Sequence, residues 1–211
     1  MTRFRQVRPR AVLALSLLAV AALAAVVLAA RGSGDEDATA GDGATPLSER
    51  FAGATLPAGV RAPGFELRDQ DGERVSMRDL RGKPVVVTFL YTRCENSCPG
   101  QAQLIKGAFA ELGHDVPALA IAVDPPRDTP AKARSFLAEQ RMTGRLDFVL
   151  GSRAQLRPLW RGYAIAPQKV DQEHQARFVL VDKRGVQRVG FPGSKATPEG
   201  LAHDLRVLER E

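Results

Sequence analysis

Residues 85–99 read VVVTFLYTRCENSCP, and they are the strongest indication of the fold in this chain. The first six of these residues form a mostly apolar run of the kind that is buried on both faces in a parallel sheet. The only two cysteines of the chain, Cys94 and Cys98, follow four residues apart, directly before Pro99. Reactive thiols favour the point where a strand ends and a helix begins, because the helix N-terminus stabilises a thiolate. The stretch therefore predicts a site for redox or soft-metal chemistry.

The cysteine spacing fits three uses. Residues four apart on a helical turn share a face, with Cα atoms about 6 Å apart, which a disulfide can bridge. The same two thiolates could converge on one soft ion such as Cu(I). A purely structural disulfide is the third use, but so short a loop removes little entropy from the unfolded chain. From the residues alone, the first two uses stay open.

The N-terminus resembles a membrane anchor. Residues 11–30 contain one polar side chain, Ser16, and twenty helical residues span about 30 Å, the thickness of a bilayer's hydrocarbon core. Four arginines precede this run and three acids follow it soon after, which predicts a cytoplasmic tail at residues 1–10 and an extracytoplasmic remainder. The competing interpretation is a cleaved signal peptide, but the run is longer than is usual for one. Either way the dithiol is expected in an oxidising compartment.

The remainder divides into a linker and one domain. Residues 31–58 are rich in Gly, Ala, Ser, Thr and acids, which predicts a flexible linker. Residues 59–211 have the length of one ordinary domain. The formal net charge is +6, but the four N-terminal arginines supply four of those charges. With no interleaved basic and aromatic stripe, nucleic acid is not expected as a partner.

The predicted elements of this domain alternate. A short strand pair precedes the run at 84–90, and after it we expect the order β-α-β-α-β-α-β-β-α, with Asp182 to Gly185 forming the turn of a late hairpin. Alternating strands and helices followed by a hairpin and a helix describe a sheet covered on both faces. With a dithiol after the first buried strand, we predict an α/β thioredoxin-like fold with a central mixed sheet.

Three histidines are candidates for a third metal ligand. His114 follows Gly113 at a helix end, where it favours the helix dipole, and His203 is expected to face solvent from the last helix. His174 lies in the polar segment KVDQEHQ at 169–175, which leads into the predicted strand at 177–181. In a thioredoxin-like sheet that segment lies across from the dithiol.

The run from residue 85 to residue 199 resembles the Sco (SenC) family of copper-binding proteins in cytochrome c oxidase assembly. The stretch FLYTRCENSCP at 89–99 is similar to the family's strand and CxxxCP motif, and AVDPPRDTP at 122–130 is similar to its VDPxRDTP segment. His174 also stands at the offset before Gly185 that is expected of the family's ligand histidine. The resemblance implies that Cys94, Cys98 and His174 bind copper. Asp124, in the second segment, is expected to order the Pro125-Pro126 turn.

Two functions follow from this resemblance. The first is a membrane-tethered metallochaperone that delivers copper to the CuA site of cytochrome c oxidase. The second is a thiol-disulfide oxidoreductase that reduces the cysteines of the oxidase or of another exported copper or thiol protein, in which Cys94 attacks and Cys98 resolves. His174 separates the two, because a metal site uses this imidazole and an oxidoreductase does not require it.

Overall fold

The computed structural model describes residues 50–166 and 176–211. The predicted cytoplasmic tail, the predicted anchor at 11–30, most of the predicted linker and His174 therefore lie outside the described residues. Within the described ranges, no helix has both the length and the apolar character needed to cross a membrane.

Eight strands and four α-helices are described, together with a short 3-10 helix at Gly193–Lys195. In chain order they are β1 Ala54–Thr55, β2 Glu66–Arg68, β3 Arg74–Ser76, β4 Val85–Leu90, α1 Ser97–Leu112, β5 Ala118–Ala122, α2 Pro130–Glu139, β6 Asp147–Val149, α3 Arg153–Gly162, β7 Arg177–Val181, β8 Gln187–Pro192 and α4 Pro198–Arg210.

Six of the strands form one mixed sheet in the order β1-β8-β7-β4-β5-β6. Strand β2 pairs with β3, and its last residue, Arg68, also forms a single bridge with Leu150, the residue after β6. Strands β4, β5 and β6 are parallel, whereas β7 is antiparallel to β4 and to β8. The predicted alternation from the strand at 84–90 onward is confirmed, and so is the central mixed sheet. All six residues of β4 are buried, as expected for the central strand of a covered sheet.

Helices cover both faces of the sheet. Thr88 of β4 contacts Gln101 of α1 through a hydrogen bond of 2.7 Å. The next residue, Phe89, packs edge-on against Tyr163, which follows α3, with ring centroids 5.5 Å apart. Because successive side chains of a strand point to opposite faces, α1 and α3 lie on opposite sides of the sheet.

Side chains and glycine mark the ends of the helices. Ser152 and Gln155 form a capping box at the start of α3: the Ser152 hydroxyl accepts from the Gln155 N–H, and the Gln155 side chain accepts from the Ser152 N–H. Gly113 ends α1 in the left-handed conformation, at a φ of 90°. Helix α1 begins at Ser97, so that Cys98 and Pro99 lie within its first turn.

The end of the predicted linker differs from the structure. Phe51 is buried, and Ala54–Thr55 pairs with the edge of β8 as a sixth strand. The N–H groups of Ala52 and Gly53 donate to the carboxylate of Asp204 on α4, at 2.7 and 2.9 Å. Residues 51–55 are therefore part of the fold, although their composition resembles that of the linker before them.

The sheet has two ends that matter for function. The carboxyl end of β4, at Leu90, leads to the cysteines, and we call this end of the sheet the dithiol end. At the opposite end of the sheet, Val85 pairs with Val181, just before the β7–β8 turn at 182–185, and we call this the hairpin end. Six residues of strand separate the two ends by roughly 20 Å.

Candidate metal centre

The two cysteines meet at the N-terminus of α1. Cys94 lies in the turn between β4 and the helix, where its N–H donates to the carbonyl of Tyr91 at 3.3 Å. Cys98 is the second residue of the helix. The expectation that both cysteines share one helical face is therefore wrong, because Cys94 precedes the helix. The turn nevertheless brings the Cys94 sulfur next to the first residues of the helix.

The sulfur of Cys94 takes the place of a helix cap. The N-cap residue, Asn96, makes no side-chain hydrogen bond to the helix. Instead, the N–H of Cys98 donates to Cys94 Sγ at 3.0 Å, and the Ser97 hydroxyl lies 3.5 Å from the same sulfur. The first N–H groups of a helix have no partner within the helix and carry its positive dipole end, so they favour an anionic acceptor. This geometry stabilises a thiolate on Cys94.

The two thiols differ strongly in acidity. A hydrogen bond from the Cys98 thiol, aided by Ser97 and by the Cys98 N–H, lowers the pKa of Cys94 to about 5 although burial opposes this. The same shared proton, together with burial, raises the pKa of Cys98 above its ordinary value. The opposite shifts favour a single proton held on Cys98, with Cys94 as the more acidic sulfur of the pair.

Asp128 holds the turn before Cys94 through hydrogen bonds, a role that the sequence motifs did not predict. Its carboxylate accepts from the Thr92 N–H at 2.8 Å, from the Thr92 hydroxyl at 2.9 Å and from the Asp124 N–H at 3.1 Å. The side chain is buried, which raises its pKa despite these donors. Asp128 lies in the segment 122–130 already singled out, but no local pattern pairs it with Thr92, 36 residues earlier.

Asp124 has the role expected of it. Its carbonyl accepts from the N–H groups of Arg127 and Asp128, and its carboxylate accepts from the Arg127 guanidinium at 3.1 Å. These bonds close the turn that contains Pro125 and Pro126. Asp124 thus orders the turn, and through that turn it orients Asp128.

A buried polar pair lies one helical turn beyond Cys98. The hydroxyl of Thr88 is 2.7 Å from Gln101 Oε1 and 3.0 Å from the Arg177 carbonyl, while Gln101 Nε2 has no partner among the described residues. Exchanging the amide oxygen and nitrogen of Gln101 would let Nε2 donate to Thr88, whose proton is then free for Arg177. In both arrangements the pair joins the dithiol helix to the first residue of β7.

The predicted ligands divide into those that the structure places and one that it does not describe. Cys94 and Cys98 come together, and both are buried. His114 pairs with Glu209 at the far end of α1, about 24 Å along the helix axis from the dithiol, and is excluded as a third ligand. His203 is exposed, as expected, beside Asp204. In the described parts of the chain, no group of three or more His, Cys, Asp and Glu side chains could hold a metal ion.

Comparison with known proteins identifies the family. The family model described as SCO1/SenC matches residues 54–209, which span the whole sheet and all four helices except the last residue of α4. The chain belongs to the SCO1/SenC family. The resemblance predicted from the two motifs is thus confirmed, and the match begins at β1, within the predicted linker.

The individual relatives cover the same region. The SCO1 protein homolog of Bacillus subtilis is 29% identical over 153 residues, which are 67% of this chain and 79% of that protein. The structure of Bradyrhizobium japonicum ScoI with copper bound is 32% identical, has a TM-score of 0.60 and is matched over 70% of this chain and 99% of that chain. BsSco, described as a member of the Sco family of cytochrome c oxidase assembly proteins with a disulfide switch, is 26% identical, with a TM-score of 0.64 over 72% of this chain and 95% of that one.

Proposed function

We propose that this chain is a copper metallochaperone for the CuA site of cytochrome c oxidase, with Cys94, Cys98 and His174 as its copper ligands. The observation that carries the proposal is the direct contact of the two cysteines at the N-terminus of α1, in a family whose Bradyrhizobium member holds copper. The copper ion is the cargo in this proposal, and the sulfurs form the site that loads and releases it.

The donor set suits copper. Thiolates are soft ligands that select Cu(I), and an added imidazole would also support Cu(II). The lowered pKa of Cys94 favours its thiolate near neutral pH, so a metal displaces mainly the proton that Cys98 holds. A structural zinc site needs four protein ligands, and the described residues offer only the two sulfurs here.

Release to a partner follows from the same geometry. Thiolates of an acceptor site replace Cys94 and Cys98 one at a time, so that copper is never free in solution. As Cys98 leaves the ion it recovers its proton, because burial and the neighbouring Cys94 sulfur favour its neutral form. The acidity difference between the two cysteines therefore favours release of copper from Cys98.

We infer that the domain works at the extracytoplasmic face of a membrane, held by residues 11–30. This inference rests on the length of the apolar run and on the arginines before it. We expect the full chain to stay with membranes after carbonate extraction, with its N-terminus intact by mass. A soluble product that begins near residues 25–31 would instead identify the segment as a cleaved signal peptide.

A thiol-disulfide oxidoreductase is the second candidate, and the acidity of Cys94 favours it. The Cys94 thiolate would attack a partner disulfide and release one partner thiolate, forming a mixed disulfide. Cys98, after losing its proton, would then attack Cys94 Sγ, releasing the second partner thiol and leaving a Cys94–Cys98 disulfide that a thiol reductant must reduce. Partner cysteines are thereby reduced while this pair is oxidised.

Copper titration of a reduced fragment, residues 45–211, separates the two candidates. The fragment contains every described residue, and 70% of this chain matches the solved ScoI chain of Bradyrhizobium over 99% of its length. We expect one copper ion per chain, and loss of Cu(I) binding in Cys94→Ser and in Cys98→Ser. We also expect His174→Ala to weaken Cu(II) binding at least about tenfold, without moving the potential of the thiol couple.

His203→Ala is the matched control, because His203 is the exposed histidine of α4 and is expected to leave copper binding unchanged. If His174→Ala binds copper like the control, His174 is not a ligand and the oxidoreductase becomes the better assignment. If the oxidised protein or Cys98→Ser loads copper fully, the paired sulfurs are not the metal site.

A further inference from the structure

A basic surface lies at the hairpin end, away from the cysteines. Gly82 donates its N–H to the carbonyl of Lys183, which places the residues around Gly82 beside the β7–β8 turn. Arg50 lines one cleft with the residues of that turn. Six cations form this surface, which we call the basic corner: Arg50, Arg81, Lys83, Lys183, Arg184 and Arg188.

Only part of this charge is neutralised within the fold. Asp182 and Glu211 are the carboxylates that line the cleft, and both pair with Arg188, whose side chain is only 15% exposed. Arg184 reaches Asp182 at 3.4 Å but remains 78% exposed. Arg81 and Lys83 are exposed and form no ion pair with the described residues. The cations that face solvent are therefore available to an external anion.

The N-terminal part of the chain joins the fold at this corner. Arg50 pairs with Glu211 at 3.6 Å, so the described domain begins beside the β7–β8 turn. The 49 residues before it include the apolar run at 11–30. The cysteines lie at the other end of β4, roughly 20 Å away. A surface that the corner contacts would thus leave the dithiol end accessible.

We propose that the basic corner docks on the phosphate headgroups of an anionic bilayer. Arginine and lysine side chains near an anionic membrane each contribute a few-fold in affinity, and guanidinium groups bind phosphate oxygens in a fork. The chain's own apolar run raises the local concentration of such a surface, because only residues 31–49 separate it from the corner. Docking would direct the cysteines away from the bilayer, toward the part of a membrane partner that projects from it.

The experiment measures co-sedimentation of the 45–211 fragment with vesicles of phosphatidylcholine, alone or mixed with phosphatidylglycerol. We expect binding to the anionic vesicles only, and loss of binding as salt is raised. The triple variant Arg81→Gln, Lys83→Gln and Arg184→Gln is expected to bind on the order of 100-fold more weakly, at about fivefold per cation. Soluble inorganic phosphate, added at the same charge concentration, is not expected to displace the vesicles.

A matched triple variant removes the same charge from another part of the surface. Lys132→Gln, Arg153→Gln and Arg157→Gln change exposed cations of α2 and α3. We expect this control to bind almost as the parent does. Equal loss in both variants would mean that only net charge matters, and would overturn the proposal, as would binding to neutral vesicles or to none.

A competing occupant is the acidic stretch of the chain itself. Residues 31–49 carry five acids against Arg31 alone. A fragment that starts at residue 31 tests this alternative. Undiminished vesicle binding supports membrane docking, whereas abolished binding means that the acidic stretch occupies the basic corner, and overturns the proposal. An acidic protein that binds the corner while vesicles do not would have the same consequence. Cys94→Ser is expected to bind vesicles normally, so this result is independent of copper binding.

Discussion

Asp128 and Asp204 are two buried carboxylates that perform the same task in different places. Asp128 accepts from the backbone and hydroxyl of Thr92, and Asp204 accepts from the backbone N–H groups of Ala52 and Gly53. Each therefore holds a stretch of chain that has little regular structure of its own. The first stretch leads into Cys94, whereas the second joins β1 to the sheet edge.

The difference between them is what the held stretch does. The stretch at Asp204 has no chemistry, so that carboxylate contributes to stability alone. The stretch at Asp128 carries the turn that aims the Cys94 sulfur at the start of α1. The same kind of hydrogen bond therefore supports stability in one region and reactivity in the other. Variants at the two carboxylates, read by both unfolding and thiol reactivity, test this division.

Asp204→Ala is expected to have the largest effect on stability. The side chain is fully buried, and its loss leaves the N–H groups of Ala52 and Gly53 without their partner. A hydrogen bond to a charged group contributes about 1.5–3 kcal/mol, and two are lost, so we expect the free energy of unfolding to fall by about 3 kcal/mol. Denaturant unfolding of the 45–211 fragment measures it.

The rate of Cys94 alkylation in the same variant is the control, and we expect it to match the parent below the unfolding transition. Faster alkylation under native conditions would show that the two regions are coupled, and would end the distinction drawn between them.

Cys98→Ala is expected to have the next largest effect, on acidity. The Cys98 thiol is the main cause of the low Cys94 pKa, which is about 5. A depressed pKa means that Cys94 is a thiolate above that pH, so losing the donor shifts the onset of reactivity upward. We expect the midpoint of the alkylation-rate profile to rise by at least about one pH unit, toward the ordinary thiol value near 8.5.

Ser97→Ala is the matched comparison for that profile. Its hydroxyl lies 3.5 Å from the sulfur and lowers the Cys94 pKa less than the Cys98 thiol does, so we expect a smaller upward shift of the midpoint. An unchanged midpoint in Cys98→Ala would mean that the helix N-terminus, and not the second thiol, acidifies Cys94.

The two regions also show what a sequence can predict. The apolar run of β4, the cysteine pair and the hairpin turn at Gly185 were predicted because each is a local pattern with a direct conformational meaning. The hydrogen bonds of Asp128 and Asp204 span 36 and 151–152 residues, so no window of sequence contains both partners. The composition of residues 51–55 predicts a linker for the same reason, since only Phe51 indicates burial.

Asp128→Asn is expected to have the smallest effect on stability and a distinct effect on the thiol. Asparagine keeps one oxygen for Thr92 but presents N–H to the Asp124 N–H, so one hydrogen bond is lost and a small repulsion replaces it. We expect a loss of about 1 kcal/mol in unfolding free energy, partly offset because the burial that raises the Asp128 pKa no longer acts on a charge. Because the turn before Cys94 loosens, we expect the hydrogen bond of 3.0 Å from the Cys98 N–H to the sulfur to weaken and the alkylation midpoint to rise.

Thr92→Val removes only the hydroxyl bond to Asp128 and keeps the backbone bond, so it is the graded control. If Asp128→Asn lowers stability while the midpoint stays with the parent, Asp128 is a structural residue of the same kind as Asp204, and the Cys94 turn owes its geometry to α1 alone.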